Sequence, residues 1–146
     1  LARAGWRGAE WDMNPAQVAA ALPEALLDKG AKGERLQGKT IGNVGRFTLG
    51  GQQAKGVFYY DKAGLQSVAL TPEKAACPAV ARGVLAEFGE PMGISDQVIL
   101  KVVIWHDAKA ANRVRLLLLG TGDCTVYYER LSDYEEIDKR LKAEGR

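Results

Sequence analysis

The chain has 146 residues, 47% of them apolar and 26% charged. These totals suit one well-buried domain over 1–146 and exclude disorder or a collagen-like structure. Its 20 basic and 18 acidic residues give a net charge of +2, too balanced to indicate a nucleic-acid partner. The densest apolar run, 98–105, contains Lys101 and is shorter than the roughly 18 residues that predict a membrane span.

The beginning of the chain carries an export-like pattern. Ala2, Arg3 and Ala4 before Gly5 have the small-x-small form of a signal-peptidase site. We therefore expect the first four residues to be the remainder of an export signal, in a protein that is periplasmic or secreted. The alternative is an arbitrary boundary.

The first predicted helix runs from about 15 to 22 and could resume up to residue 28. It opens with Asn14 as cap and Pro15 in the first turn, a pattern typical of helix starts. A polar, glycine-rich stretch at 29–38 is interpreted as a loop. Three strands are predicted next, near 41–49, 54–60 and 65–70, with turns rich in glycine between them.

The second half repeats this order. Thr71 and Pro72 open a predicted helix over 72–88, which ends at Gly89 because glycine suits a left-handed cap. Three more strands are predicted, near 97–106, 112–119 and 123–130. A third helix is predicted over about 132–144, where Ser132 and Glu135 have the spacing of a capping box.

Helix followed by three strands thus occurs twice, over about 12–70 and 71–130. Strands joined by such short turns must be antiparallel. We predict an α+β fold in which two helix–three-strand halves form an antiparallel sheet, with their helices packed on one face and a C-terminal helix added. One sheet of about six strands and two three-stranded sheets side by side both fit.

The two cysteines, Cys77 and Cys124, are both expected to face the layer between helix and sheet. A disulfide between them would close a loop of roughly 50 residues and stabilise the fold by about 4 kcal/mol in the chain-entropy model. In an exported protein we favour the bond. The alternative is two buried thiols in a cytosolic protein, where disulfides are rare.

The sequence offers no recognisable catalytic constellation. His106 is the single histidine and is followed by Asp107, but neighbouring strand residues point to opposite faces. No phosphate loop, CxxC motif or cluster of metal ligands is present. We predict a protein that is not an enzyme and needs no metal or cofactor.

Strand alternation predicts an unusual outer sheet face. With Cys124, Val126 and Tyr128 assigned inward, Tyr127 turns outward. Along 97–106 the inward assignment goes to Leu100, Val102 and Ile104, and the outward one to Lys101, Val103 and Trp105. The candidate binding residues on the outward face are Trp105, Tyr127, Tyr59, Arg113, Arg115 and Lys101.

Aromatic residues among arginines are typical of protein interfaces, and the same side chains can stack on nucleobases or sugars. Alternatively, loops or the third helix could cover part of this face, or it could form a homodimer.

Three local patterns suggest a family. They are WDMNPAQV at 11–18, FYYDKAGLQSV at 58–68 and LAEFGEP at 85–91. These resemble the W-G-M-[ST]-x-x-[EQ]-V opening, the D-x-x-G-x-L-x-x-V turn and the L-x-x-x-[YF]-G-x-P helix exit of domains similar to the beta-lactamase inhibitor protein and the small outer-membrane assembly lipoproteins. The resemblance implies a bacterial, exported, non-enzymatic module whose aromatic sheet face binds a partner protein of the cell envelope, with Trp105, Tyr127 and Tyr59 as site residues. No lipid anchor is implied, because no cysteine lies near the start.

Two other classes remain open. One is a small-ligand carrier or enzyme of cystatin-like or NTF2-like architecture, which would have a concave apolar cavity between sheet and helices. The other is a secretion-chaperone-like dimer, which would leave both thiols free.

Overall fold

The computed structural model describes residues 4–28, 35–36 and 38–145, with 35–36 described by their backbone alone. Within these residues the strands are β1 (Gly5–Trp6), β2 (Ala9–Glu10), β3 (Leu26–Leu27), β4 (Arg35–Leu36), β5 (Lys39–Leu49), β6 (Gln52–Asp61), β7 (Gly64–Pro72), β8 (Gly93–Asp96), β9 (Leu100–Asp107), β10 (Asn112–Leu119) and β11 (Cys124–Arg130). The α-helices are α1 (Pro15–Ala21), α2 (Cys77–Phe88) and α3 (Glu135–Ala143).

The fold is α+β, as predicted, with one large antiparallel sheet. Its strands lie in the order β3-β5-β6-β7-β11-β10-β9-β8, β4 also pairs with β5, and β1 and β2 form a separate hairpin. The predicted six strands in two helix–three-strand halves are therefore too few. The short strands β3 and β4, which pair with β5, were not predicted. The strand predicted near 97–106 is preceded by a further strand, β8, and residue 97 lies in the turn between β8 and β9.

Two meanders meet at the centre of the sheet. Strands β5, β6 and β7 form one, and β9, β10 and β11 form the other. They join through antiparallel pairing of β7 with β11, in which Ser67 lies opposite Glu129 and Leu70 opposite Val126. This central seam holds together strands that are about 60 residues apart in the chain.

The core lies on one face of the sheet, which we call the inner face. Helices α1 and α2 contribute Val18, Val80 and Val84, and the N-terminal segment adds Trp6 and Trp11. Many of the strand residues that point to this face are fully buried; Phe58, Leu65, Leu70, Leu116 and Val126 are among them. The inner face therefore carries most of the apolar burial that stabilises the fold.

Helix α3 lies against the opposite, outer face. Its Asp138 contacts Arg113, whose strand neighbour Val114 points into the core. The expectation that helices occupy one face thus holds for α1 and α2, while α3 covers part of the other face. Asp138 is the buried residue of α3, and its apolar Ile137 and Leu141 remain 47% and 38% exposed.

The helix ends agree with the sequence in part. Asn14 and Gln17 cap α1 reciprocally, and Gly89 ends α2 with a φ of 70°, which favours glycine. The predicted start at Thr71 and Pro72 is wrong, because β7 continues through both residues and a 3₁₀ turn precedes α2.

The predicted capping box at Ser132 is also wrong. The chain makes a 3₁₀ turn over Leu131–Asp133, so Tyr134 becomes the N-cap of α3 and makes no side-chain cap bond. Most of the loop predicted at 29–38, and residues 1–3 of the expected signal remnant, lie outside the described residues.

The predicted disulfide is present. Cys77, at the start of α2, is bonded to Cys124, at the start of β11, with their Cα atoms 5.8 Å apart. Both residues are buried on the inner face. The bond therefore fixes α2 to the strand that forms half of the central seam.

Candidate functional site

The outer face of the sheet is arranged in rows of cross-strand neighbours. In the row nearest α3, Tyr59 lies opposite Ser67, Ser67 opposite Glu129, and Glu129 opposite Arg113. His106 on β9 lies opposite Arg113 and completes this row. Helix α3 covers this end of the face, so Ser67, Glu129 and Arg113 are buried although they point away from the core.

In the rows further from α3 the side chains are at least partly exposed, except that of the buried Ala69. We call them the open face, and it consists of Val44, Arg46, Lys55, Val57, Thr71, Val102, Ile104, Arg115, Leu117, Thr125 and Tyr127. Aliphatic side chains occupy both sides of it, and two threonines joined by a 3.0 Å hydrogen bond lie at its centre. An outer sheet face with several partly exposed aliphatic side chains next to one another is a candidate interaction site.

Under α3, five side chains form a charge cluster, which consists of the buried Arg113, Glu129 and Asp138 and the partly buried His106 and Arg115. Arg113 donates to both oxygens of Asp138 at 2.7 and 2.9 Å and to Glu129 at 3.0 Å. Arg115 donates to both oxygens of Glu129 at 3.0 and 3.1 Å. Nε2 of His106 lies 2.7 Å from Oδ2 of Asp138.

Charge pairing inside this cluster is nearly balanced. Burial alone would lower the pKa of Arg113, but the hydrogen bonds and negative charges of Asp138 and Glu129 outweigh it and raise the pKa above its ordinary value. Two arginines thus meet two carboxylates, and these pairs hold α3 against the sheet and position Arg115.

Arg115 links the charge cluster to the open face. Its guanidinium lies 3.9 Å from the centre of the Tyr127 ring, while Glu129 fixes it from beneath. A cation stacked on an aromatic ring and held by a bidentate carboxylate has few rotamers left to lose on binding. Tyr127 and Arg115 therefore form a preorganised pair at the border of the open face.

Two of the candidate residues were assigned to the wrong face. Trp105 is 2% exposed in the core, where it contacts Phe88 and donates to the carbonyl of Gly89. Lys101 shares its inner orientation and lies beyond the core near the start of β9, where its Nζ is 3.9 Å from a carboxylate oxygen of Asp96. Both orientations follow from the pairing register of β9 with β10. Trp105 lies opposite Val114 and Lys101 opposite Leu118, and cross-strand partners point to the same face.

Four other candidates do point to the outer face. Tyr127 and Arg115 belong to the open face, and Tyr59 lies partly buried in the row next to α3. Arg113 is 8% exposed beneath α3, so its role is in the charge cluster. The structure thus brings Arg113, Arg115 and Tyr127 together and separates them from Trp105.

Sequence reasoning missed Asp138, Arg46 and the outward side chains of β9. Asp138 gave no signal, because an acidic residue in a helix as highly charged as α3 is seldom buried. Strand β9 is apolar on both faces, so its alternation carried no signal, and Val102 and Ile104 were assigned inward. Arg46 gave a usable signal, because it alternates with the core residue Phe47.

The surface also carries two clefts near α3. The larger, of about 860 Å³, opens beside the end of α2 and has a charged lining that includes Glu87, Glu90, Asp107 and Lys142. The smaller, of about 260 Å³, is apolar and lies between β8 and α3. The smaller cleft has the apolar lining and the place between sheet and helix expected of a ligand carrier, but it is below the roughly 300 Å³ at which ligand pockets begin.

In the part of the chain that the structure describes, no three histidine, cysteine or acidic residues are placed to hold a metal ion. No described helix combines the length and the apolar character needed to cross a membrane. Comparison of the chain with protein-family models, with curated proteins and with solved structures found no match.

Proposed function

We propose that this chain is a bacterial, non-enzymatic binding module that contacts a partner protein through the open face. The observation that carries the proposal is the Arg115–Tyr127 stack, with the guanidinium 3.9 Å from the ring centre, next to partly exposed aliphatic side chains. Tyrosine and arginine are the residue types most enriched among binding hot spots. The surrounding Val57, Leu117 and Ile104 would exclude water around this pair.

The proposal includes export to the periplasm or beyond. The Cys77–Cys124 disulfide supports it, because such bonds persist in oxidising compartments. The resemblance to envelope inhibitor and assembly domains, given by the motifs at 11–18, 58–68 and 85–91, supports the same compartment. It also supports a role in binding rather than in catalysis.

The test is affinity capture from an envelope extract of the source organism. Tyr127→Ala and, separately, Leu117→Ser are compared with the parent and with Leu85→Ala, which alters a 44% exposed leucine on α2. We expect the parent and Leu85→Ala to retain one protein that both face variants lose by at least about tenfold. Thermal unfolding of each variant shows that the fold is kept.

Equal capture by both face variants would contradict the proposal, and so would the absence of any protein retained by the parent. Retention of a small molecule in the cleft of about 860 Å³, detected by native mass spectrometry, would favour the ligand-carrier alternative instead.

A further inference from the structure

Two cations lie directly opposite each other on the open face. Arg46 on β5 is the cross-strand partner of Lys55 on β6, and both side chains are exposed. Like charges at this position destabilise a sheet, because their Cβ atoms are only about 5 Å apart. None of the ion pairs found among the described residues includes either of them.

The open face provides no carboxylate to offset this charge. Its charged members are Arg46, Lys55 and Arg115, and none of its residues is acidic. The nearest strand carboxylate on the outer face, Glu129, is 1% exposed and already bonded to Arg113 and Arg115. Beyond the open face, the exposed Glu73 lines the same cleft as Arg46 and Lys55, and none of the ion pairs found among the described residues joins it to either cation. The face therefore carries more positive than negative charge, although the chain as a whole carries only +2.

We propose that Arg46 and Lys55 receive the carboxylates of an acidic patch on the partner protein. This inference rests on the proposed function and adds the chemistry of the partner. The cation pair adjoins Val44 and Val57, which are themselves cross-strand neighbours. The surface of the partner protein thus has carboxylates next to an apolar contact. The attraction between these carboxylates and the Arg46–Lys55 pair governs how fast the two proteins associate.

The charge of the open face also favours an acidic protein over two other partners, a second copy of this chain and a nucleic acid. A second copy that met the open face with its own open face would bring three more cations and no carboxylate. A nucleic acid would require neutralisation of many phosphates, whereas the face offers three cations, one of them already paired with Glu129. An acidic protein surface needs only one or two carboxylates at Arg46 and Lys55.

The experiment uses two cross-linkers in the same envelope extract. A photoreactive benzoylphenylalanine at position 117 reports any protein that contacts the open face. A zero-length carbodiimide joins a lysine amine only to a carboxylate in direct contact with it. Peptide mass spectrometry then shows whether Lys55 is bonded to an aspartate or glutamate of the protein captured at position 117.

We expect that bond in the parent and its loss in Lys55→Arg, which keeps the charge but removes the amine. With the captured protein purified, the Arg46→Glu, Lys55→Glu double variant should associate at least about tenfold more slowly at low salt. The difference should shrink in high salt because exposed charges are screened. Lys109→Glu, which changes a lysine outside the open face, should associate like the parent.

The two levels of the proposal fail differently. Capture at position 117 without a carbodiimide bond at Lys55, and with unchanged association of the double variant, would overturn the acidic partner and leave the binding function standing. A bond from Lys55 to a second copy, or capture of nucleic acid, would also overturn it. Capture at neither position would overturn the binding function itself.

Discussion

At the scale of single residues, Arg130 shows how one ion pair can secure a turn. It donates to both oxygens of Asp61, at 2.9 and 3.0 Å, and to the carbonyl of Leu65. The hydrogen bond from Arg130 lowers the pKa of Asp61 and outweighs the burial that would raise it. Since Asp61 is 32% exposed, solvent reduces the value of this pair.

We expect Asp61→Asn to lower the free energy of unfolding by up to about 1 kcal/mol at pH 7. A carboxylate with a lowered folded-state pKa stabilises the fold above its unfolded pKa of about 4, and this stabilisation is lost as pH falls through the folded value. The gap between variant and parent should therefore narrow between pH 7 and pH 3 in urea denaturation. An equal difference in unfolding free energy at pH 7 and pH 3 would contradict this prediction. The control is Asp96→Asn, which removes the more distant ion pair with Lys101, at 3.9 Å.

Residue orientation could be predicted from sequence only where a strand alternates clearly. Along β11, Cys124, Val126 and Tyr128 alternate with polar or more exposed residues, which predicts that they point inward and Tyr127 outward. The structure has this arrangement. Strand β9 has apolar residues on both faces, and its register depends on pairing with β10. No local pattern could therefore show that Trp105 points into the core.

At the scale of elements, α3 is held mainly by charge. Asp138 is its buried residue and bonds Arg113 and His106, while Tyr134 stacks on Arg113 at 4.3 Å. Apolar contact is limited, because Ile137 and Leu141 stay substantially exposed. Polar contacts of this kind stabilise less than a packed apolar layer, since water can replace them when the helix lifts.

We expect Asp138→Asn to speed amide hydrogen exchange in α3 by roughly 10- to 100-fold. This factor corresponds to the loss of a hydrogen bond between charged groups, which contributes about 1.5–3 kcal/mol. Exchange in β6 and β7 should change much less, because opening α3 does not require unfolding of the sheet. Glu135→Gln, which breaks an exposed pair with Lys139, is the matched control. If the exchange rates of α3 and of the central strands change by the same factor in the parent, Asp138→Asn and Glu135→Gln, the helix does not open independently of the sheet.

At the scale of the whole molecule, the sequence predicted the class of fold better than its connections. Turn residues and alternation indicated antiparallel strands, and the sheet is antiparallel throughout the described residues. The pairing of β7 with β11 could not be predicted, because it joins segments far apart in the chain. The face covered by α3 depended likewise on a contact between distant residues, Asp138 and Arg113.

The disulfide should contribute to global stability. Reduction of Cys77–Cys124 removes a cross-link across 47 residues of separation, and we expect the free energy of unfolding to fall by up to about 4 kcal/mol. Urea denaturation with and without reductant measures the change. The Cys77→Ala, Cys124→Ala double variant should show no response to reductant, and a parent that stays unchanged with two free thiols would contradict the prediction.

The central seam also sets the order in which the chain can fold as it is made. Ser67 reaches its partner Glu129 only after β11, about 60 residues further along the chain, has been synthesised. Until then β7 has an unpaired edge, which is open to pairing with other chains. A ribosome-bound chain that ends before residue 124 should therefore depend on chaperones, because β11 is still missing from the centre of its sheet.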